Sequence, residues 1–128
     1  MEARPRVLIA DDQPSFRLAA RALLEQRRYS VVGEANCAAS AIEAVGRLAP
    51  DAVLPDVHLG DDDGFDVART LTRASPDLAV LLVSAHDYRS QATLIEDSGA
   101  RGFVLKSELV NVDLAEFWPS AAAGHRDA

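Results

Sequence analysis

The sequence predicts a doubly wound α/β domain, a parallel sheet with helices on both faces. Three observations lead there. Five short aliphatic runs alternate with stretches of helical spacing. The most continuous run, residues 78–83 (Leu-Ala-Val-Leu-Leu-Val), is apolar throughout, as in a strand covered on both sides. Most of the runs end in a residue able to do chemistry, and the carboxyl edge of such a sheet is where ligands gather.

Length and composition fit that class. A chain of 128 residues with 48% hydrophobic content can bury a core without disulfides or structural metal. One domain is expected over residues 1–120, with a frayed tail over 121–128. The single cysteine, Cys37, has no internal disulfide partner and reads as a small packing residue. No signal peptide is recognised at the start and no stretch is long enough to cross a bilayer, so a cytoplasmic location is expected. A net charge of −7 argues against direct nucleic-acid binding, because phosphate backbones are held by clustered Lys and Arg.

In chain order, Arg6–Ala10 is the first strand and stops at Asp11-Asp12. Gln13-Pro14-Ser15 opens a helix with Phe16, Ala19, Ala20, Leu23 and Leu24 on one face. Residues 29–34 form a second strand, and 39–48 a helix with Ile42, Val45 and Leu48 inward, closed by Pro50. The third strand centres on Val53-Leu54 within residues 51–58 and leads to Asp56. An acidic turn through Asp61, Asp62 and Asp63 precedes a helix at 65–72 that buries Phe65, Ala68 and Leu71. The fourth strand, 78–83, ends at Ser84-Ala85-His86. A weaker helix at 90–98 is stopped by Gly99, and the fifth strand, Gly102–Leu105, ends at Lys106. A last helix is expected at 109–118, packing through Leu114, Phe117 and Trp118 before Pro119.

Right-handed crossovers put all five strand ends on one edge. With strand order 2-1-3-4-5, the reversal between strands one and three brings Asp11, Asp12 and Asp56 together, flanked by Ser84 and Lys106. Three ionised carboxylates repel one another, and a hard divalent cation such as Mg²⁺ relieves the repulsion while keeping positions for water and a phosphate oxygen. A hydroxyl and an ammonium beside it suit the outer oxygens of a phosphoryl group. Asp56 is therefore the candidate acceptor of such a group.

From Val7 to about Trp118 the sequence resembles the response-regulator receiver domain of two-component signalling. The resemblance rests on the acidic pair Asp11-Asp12, on Asp56, on Ser84-Ala85, on Lys106, and on Asp63-Gly64 and the run Gly99 to Phe103. It implies a flavodoxin-like (βα)5 fold with the 2-1-3-4-5 order and Asp56 as phosphoacceptor. Ser84 and Lys106 would be its partners in the reaction. Mg²⁺ would be held by Asp11, Asp12, Asp56 and the main-chain carbonyl of His58. Ser84 and Phe103 would form the switch. The partner implied is a histidine kinase or phosphotransfer protein, with a homodimer as a further candidate assembly. The domain would assist its own phosphorylation and dephosphorylation without being an enzyme for another substrate. The Val-Val-Gly-Glu-Ala phrase is similar to receivers that precede a helix-turn-helix module, so both a fragment of a transcription factor and a single-domain regulator fit.

Plainer readings stand beside these. Asp11 or Asp12 could cap the first helix, the Asp61–Asp63 run reads as a solvated loop, and His58 and His86 are either rate-tuning groups or simply exposed. Ser84 could merely end its strand, and Lys106 could be an ordinary surface lysine. Gly60 and Ser107 stand where prolines are common in the family, and neither touches the reacting groups. Pro55 departs most, since it removes a donor from what should be a central strand, and a local distortion beside Asp56 is expected. The alternative function that it motivates is a pseudo-receiver, a phosphorylation-independent interaction or dimerisation module.

Overall fold

The computed structural model describes residues 4–119, so the expected tail at 121–128 lies outside the described residues. Five parallel strands make the main sheet: β1 (Arg6–Ala10), β2 (Ser30–Ala35), β3 (Ala52–Pro55), β4 (Ala79–Ser84) and β5 (Gly102–Leu105). Their order is β2-β1-β3-β4-β5, the doubly wound order expected, and a small antiparallel ribbon joins His58–Leu59 to Asp62–Asp63. Four α-helices connect them: α1 (Pro14–Gln26), α2 (Ala38–Leu48), α3 (Gly64–Ala74) and α4 (Ala92–Asp97).

Alternation along the strands builds two cores. Leu8, Ala10, Val53, Val80 and Leu82 face α2 and α3, meeting Ala41, Val45, Phe65 and Leu71. Val7, Ile9, Leu54, Leu81 and Val83 face α1 and the C-terminal turns, meeting Leu24, Leu109, Leu114 and Trp118. Tyr29, expected in the second strand, precedes it and packs edge-on against Trp118 at 5.5 Å between ring centres. Two helix faces are rotated from expectation. In α1, Ala20 and Leu24 are buried while Ala19 is exposed, and in α2 Ala41, Ala44 and Val45 are buried while Ile42 is 40% exposed. Small alanines next to the sheet let these helices approach closely, which a count of large apolar residues misses.

The last helix is the main departure. Residues 109–118 form no α-helix; two 3₁₀ turns, Lys106–Asn111 and Leu114–Glu116, take its place. The Arg27 guanidinium, at the end of α1, donates to the carbonyls of Val110 and Val112. An α-helix would need those carbonyls for residues 114 and 116. Asp113 then starts a new turn by accepting from Ala115 N at 3.1 Å. Leu114 and Trp118 are buried as expected despite the change in backbone. Similarly α4 covers only Ala92–Asp97 of the expected 90–98; it has no side-chain cap and buries none of its own residues.

Pro55 does not distort the sheet. Asp56 N donates to Ala10 O and Val57 N to Val83 O, both at 2.9 Å, so the bonds alternate between the two neighbouring strands. That alternation points the missing Pro55 donor toward β4. The β3–β4 pairing accordingly lapses after Val53↔Val80 and resumes in the same register at Asp56↔Val83. Pairing with β1 runs unbroken through Ala10↔Pro55. Pro55→Val restores one hydrogen bond and loosens the unfolded chain by a comparable amount. Urea unfolding is expected to give a stability within about 1 kcal/mol of the native chain.

At the β1–β2 edge, Glu34 pairs with Arg17 and Arg21, each contact at 2.9 Å. Burial raises the Glu34 carboxyl, but the two guanidinium groups outweigh it and hold it below the ordinary glutamate value. A depressed native pKa contributes stability above the unfolded group's pKa, and that contribution is lost as pH falls through the native value. Glu34→Gln is expected to flatten this part of the acid limb, measured by urea unfolding at pH steps between about 5 and 3.

Candidate phosphoacceptor site

The site lies at the carboxyl edge, where β1, β3, β4 and β5 end. Asp11 continues β1, its N–H donating to Ala35 O at 2.9 Å, and its Oδ1 accepts from Gln13 N at 2.8 Å. This tight turn hands the chain to Pro14 at the start of α1. The N-cap is Gln13, so neither Asp11 nor Asp12 serves as the cap. Asp11 is fully buried and Asp12 is exposed. Asp56, only 5% exposed, accepts at Oδ1 from His58 N at 3.1 Å. Each of the three aspartates offers a carboxylate oxygen, and these oxygens lie within 4.8 Å of one another.

Lys106 reaches in from the end of β5. Its Nζ lies 2.8 Å from Asp11 Oδ2 and 3.0 Å from Asp56 Oδ2, and it donates to Gln13 Oε1 at 3.2 Å. It also sits 4.4 Å above the Phe16 ring centre, within range of a cation–π contact. Gln13 and Phe16 are members of the site that sequence reasoning missed. Both read as ordinary helix-start residues, and only the reach of the Lys106 side chain from the end of β5 to the start of α1 brings them into the site.

The charges are unequally satisfied. Burial pushes the Lys106 ammonium down, but two carboxylates outweigh it and hold the group above the ordinary lysine value. Burial raises Asp56; Lys106 and the His58 N–H oppose this and Asp11 adds to it, so the carboxyl ends above its ordinary value. The lysine faces two opposite charges, whereas Asp56 faces one opposite and one like charge. Asp11 Oδ2 is met by the Lys106 ammonium, which it shares with Asp56 and Gln13. A trio of carboxylates carrying more negative charge than one shared lysine offsets fits a hard divalent cation.

Ser84 is fully buried at the end of β4, and its Oγ accepts from His86 N at 3.0 Å. Ser84, Asp56 and Lys106 line one pocket together with the exposed His58 and His86. Phe103 is half-buried on β5 and meets Tyr88 edge-on at 5.9 Å between ring centres. Tyr88, which the sequence did not single out, also bonds to His58. Cys37 is not a core residue: it is the half-buried N-cap of α2, its Sγ 3.3 Å from Ser40 Oγ. The residues expected from the ends of β1, β3, β4 and β5 thus converge, with Phe103 set apart on the β5 flank.

This arrangement defines a class. The chain belongs to the response regulator receiver domain family, whose model matches residues 7–113. It is therefore a signalling module of the two-component type. Among its relatives, the transcriptional regulatory protein NarL of Mycobacterium tuberculosis is 38% identical over 102 residues, covering 79% of this chain and 47% of that protein. The signal receiver domain of the Mycobacterium tuberculosis response regulator NarL superposes with a TM-score of 0.76 at 34% identity, covering 86% of this chain and 93% of that one. A LuxR-family two-component response regulator from Aurantimonas gives 0.80 at 26% identity, covering 98% and 97%. The chain spans about half the length of the curated relatives it matches. No helix among the described residues is long and apolar enough to cross a membrane.

Proposed function

We propose that this domain is a phosphorylation-controlled switch in which Asp56 accepts a phosphoryl group from the phosphohistidine of a histidine kinase or phosphotransfer protein. The observation that carries the reading is the Lys106 ammonium bridging the buried carboxylates of Asp11 and Asp56 at 2.8 and 3.0 Å, with Asp12 beside them. Asp56 attacks phosphorus in line; the new O–P bond forms as the N–P bond to the donor histidine breaks, and the imidazole leaves with its electron pair. Lys106 turns from its carboxylate partners toward the phosphoryl oxygens. Asp11, Asp12, Asp56 and the His58 carbonyl would hold Mg²⁺, which supplies charge neutralisation for those oxygens. Hydrolysis later returns inorganic phosphate and the free carboxylate.

The added charge then draws the Ser84 hydroxyl inward, and Phe103 follows into the space released. This shifts a pre-existing equilibrium at the surface of α4, β5 and the C-terminal turns. The output is a changed protein contact, in a cytoplasmic protein whose receiver spans residues 1–120. Because relatives of about twice this length are named as transcriptional regulators, a transcription-regulating context is the natural one, with a homodimer as an assembly the switch could favour. The unbroken register across Pro55 removes the feature that motivated a phosphorylation-independent module.

The test is intact-mass measurement after incubation with acetyl phosphate, with Mg²⁺ or with a chelator. One phosphoryl adduct is expected with Mg²⁺ and almost none with the chelator. Absence of the adduct under both conditions would overturn the reading.

A further inference from the structure

We infer that Tyr88 is a positioning residue that holds the His58 imidazole to one side of the entrance above Asp56. The inference rests on the phosphotransfer reading above and assigns a part to a side chain outside the acidic cluster. Asp56 is buried, and the pocket over it is lined by His58, from the loop after β3, and His86, from the loop after β4. Both are exposed, their ring centres 5.7 Å apart and their planes nearly perpendicular at 88°. In-line transfer needs the donor nitrogen, or the hydrolytic water, on the far side of phosphorus from Asp56. Both reach Asp56 through the pocket that these two rings help to line.

The His58 ring is fastened. Its Nε2 lies 2.6 Å from the Tyr88 hydroxyl. Tyr88 is itself braced edge-on between Phe65, at 5.5 Å, and Phe103, at 5.9 Å between ring centres. A half-buried phenol packed on Phe65, a core residue that stays in place when Phe103 moves, cannot follow an imidazole that swings, so the bond fixes where His58 stands. An exposed histidine without such a partner exchanges rotamers freely. With the hydroxyl gone, the His58 ring sweeps across the entrance that it now flanks. The expected consequence is a common slowing of phosphoryl entry and of hydrolysis, because both use the same path.

The test compares the native chain, Tyr88→Phe, His58→Ala and the double variant. Adduct formation from acetyl phosphate with Mg²⁺, and adduct loss after the donor is removed, are followed by intact mass. Tyr88→Phe keeps the bracing ring and is expected to slow both rates about 3- to 10-fold, the population change that loss of one hydrogen bond produces. In the His58→Ala background the same change is expected to have no effect, since no ring remains to obstruct. Tyr88→Phe rates equal to native, or equal slowing in both backgrounds, would overturn the inference. NMR side-chain couplings of His58, recorded without donor, give a reading independent of chemistry. Rotamer averaging should appear in Tyr88→Phe, and its absence would sink the inference alone. A native chain that takes no phosphoryl group would remove the phosphotransfer reading and this inference with it.

Discussion

Asp56→Asn is expected to abolish the phosphoryl adduct altogether. The carboxamide keeps the shape and can still accept from His58 N, so the loop after β3 should stay in place. What it loses is the nucleophilic oxygen and one of the two carboxylates that Lys106 bridges. Among the three aspartates, Asp11 is fully buried and fastened to Gln13 N and Lys106, and Asp12 lies exposed at the rim. Only Asp56 is both sheltered from bulk water and open to the pocket that Ser84 and Lys106 share. Intact mass after acetyl phosphate treatment checks this. An adduct on the variant equal to that on the native chain would place the acceptor elsewhere.

Gly64→Ala is expected to be the most destabilising single change near the site, by about 3 kcal/mol. A Cβ there would stand 2.1 Å from Asp56 O, 2.6 Å from Val57 Cα and 2.9 Å from Asp56 C. These are main-chain atoms, so no rotamer change relieves the clash. The close approach is built in, because Gly64 N donates to Val57 O at 2.6 Å where α3 begins, and Asp63 caps that helix by accepting from Phe65 N at 2.8 Å. Relief would require α3 to move away or the Asp56 peptide to shift. A misplacement of about 1 Å at a reacting group can cost about a hundredfold in rate. The urea midpoint should fall at unchanged slope, and phosphorylation of the folded fraction should slow. A midpoint equal to native would contradict the packing described.

The strands and their ends were legible because each aliphatic run stops at a polar residue, and a strand's period of two leaves little choice about which residues face a core. Asp11, Asp12, Asp56, Ser84 and Lys106 could be read for that reason. What the sequence hid depends on contacts between distant residues. Arg27 takes the carbonyls that a last α-helix would need, and nothing within residues 109–118 announces it. Alanines rather than Ile42 face inward on α2 because the helix packs close to the sheet. Pro55 looked disruptive, yet it removes one hydrogen-bond donor toward β4 and leaves two residue pairs of that ladder unformed, while both neighbouring strands keep their register. Tyr88 stood in a polar loop with no periodic signal, and only the fold brings it to His58, Phe65 and Phe103.

The most direct measurement locates the modified residue. The native chain is phosphorylated with acetyl phosphate and Mg²⁺, the acyl phosphate is reduced with borohydride to leave homoserine, and the site is read by tandem mass spectrometry of peptides. Homoserine at position 56 and nowhere else is the expected result. Homoserine at another aspartate, or at none while the intact mass records an adduct, would contradict the account.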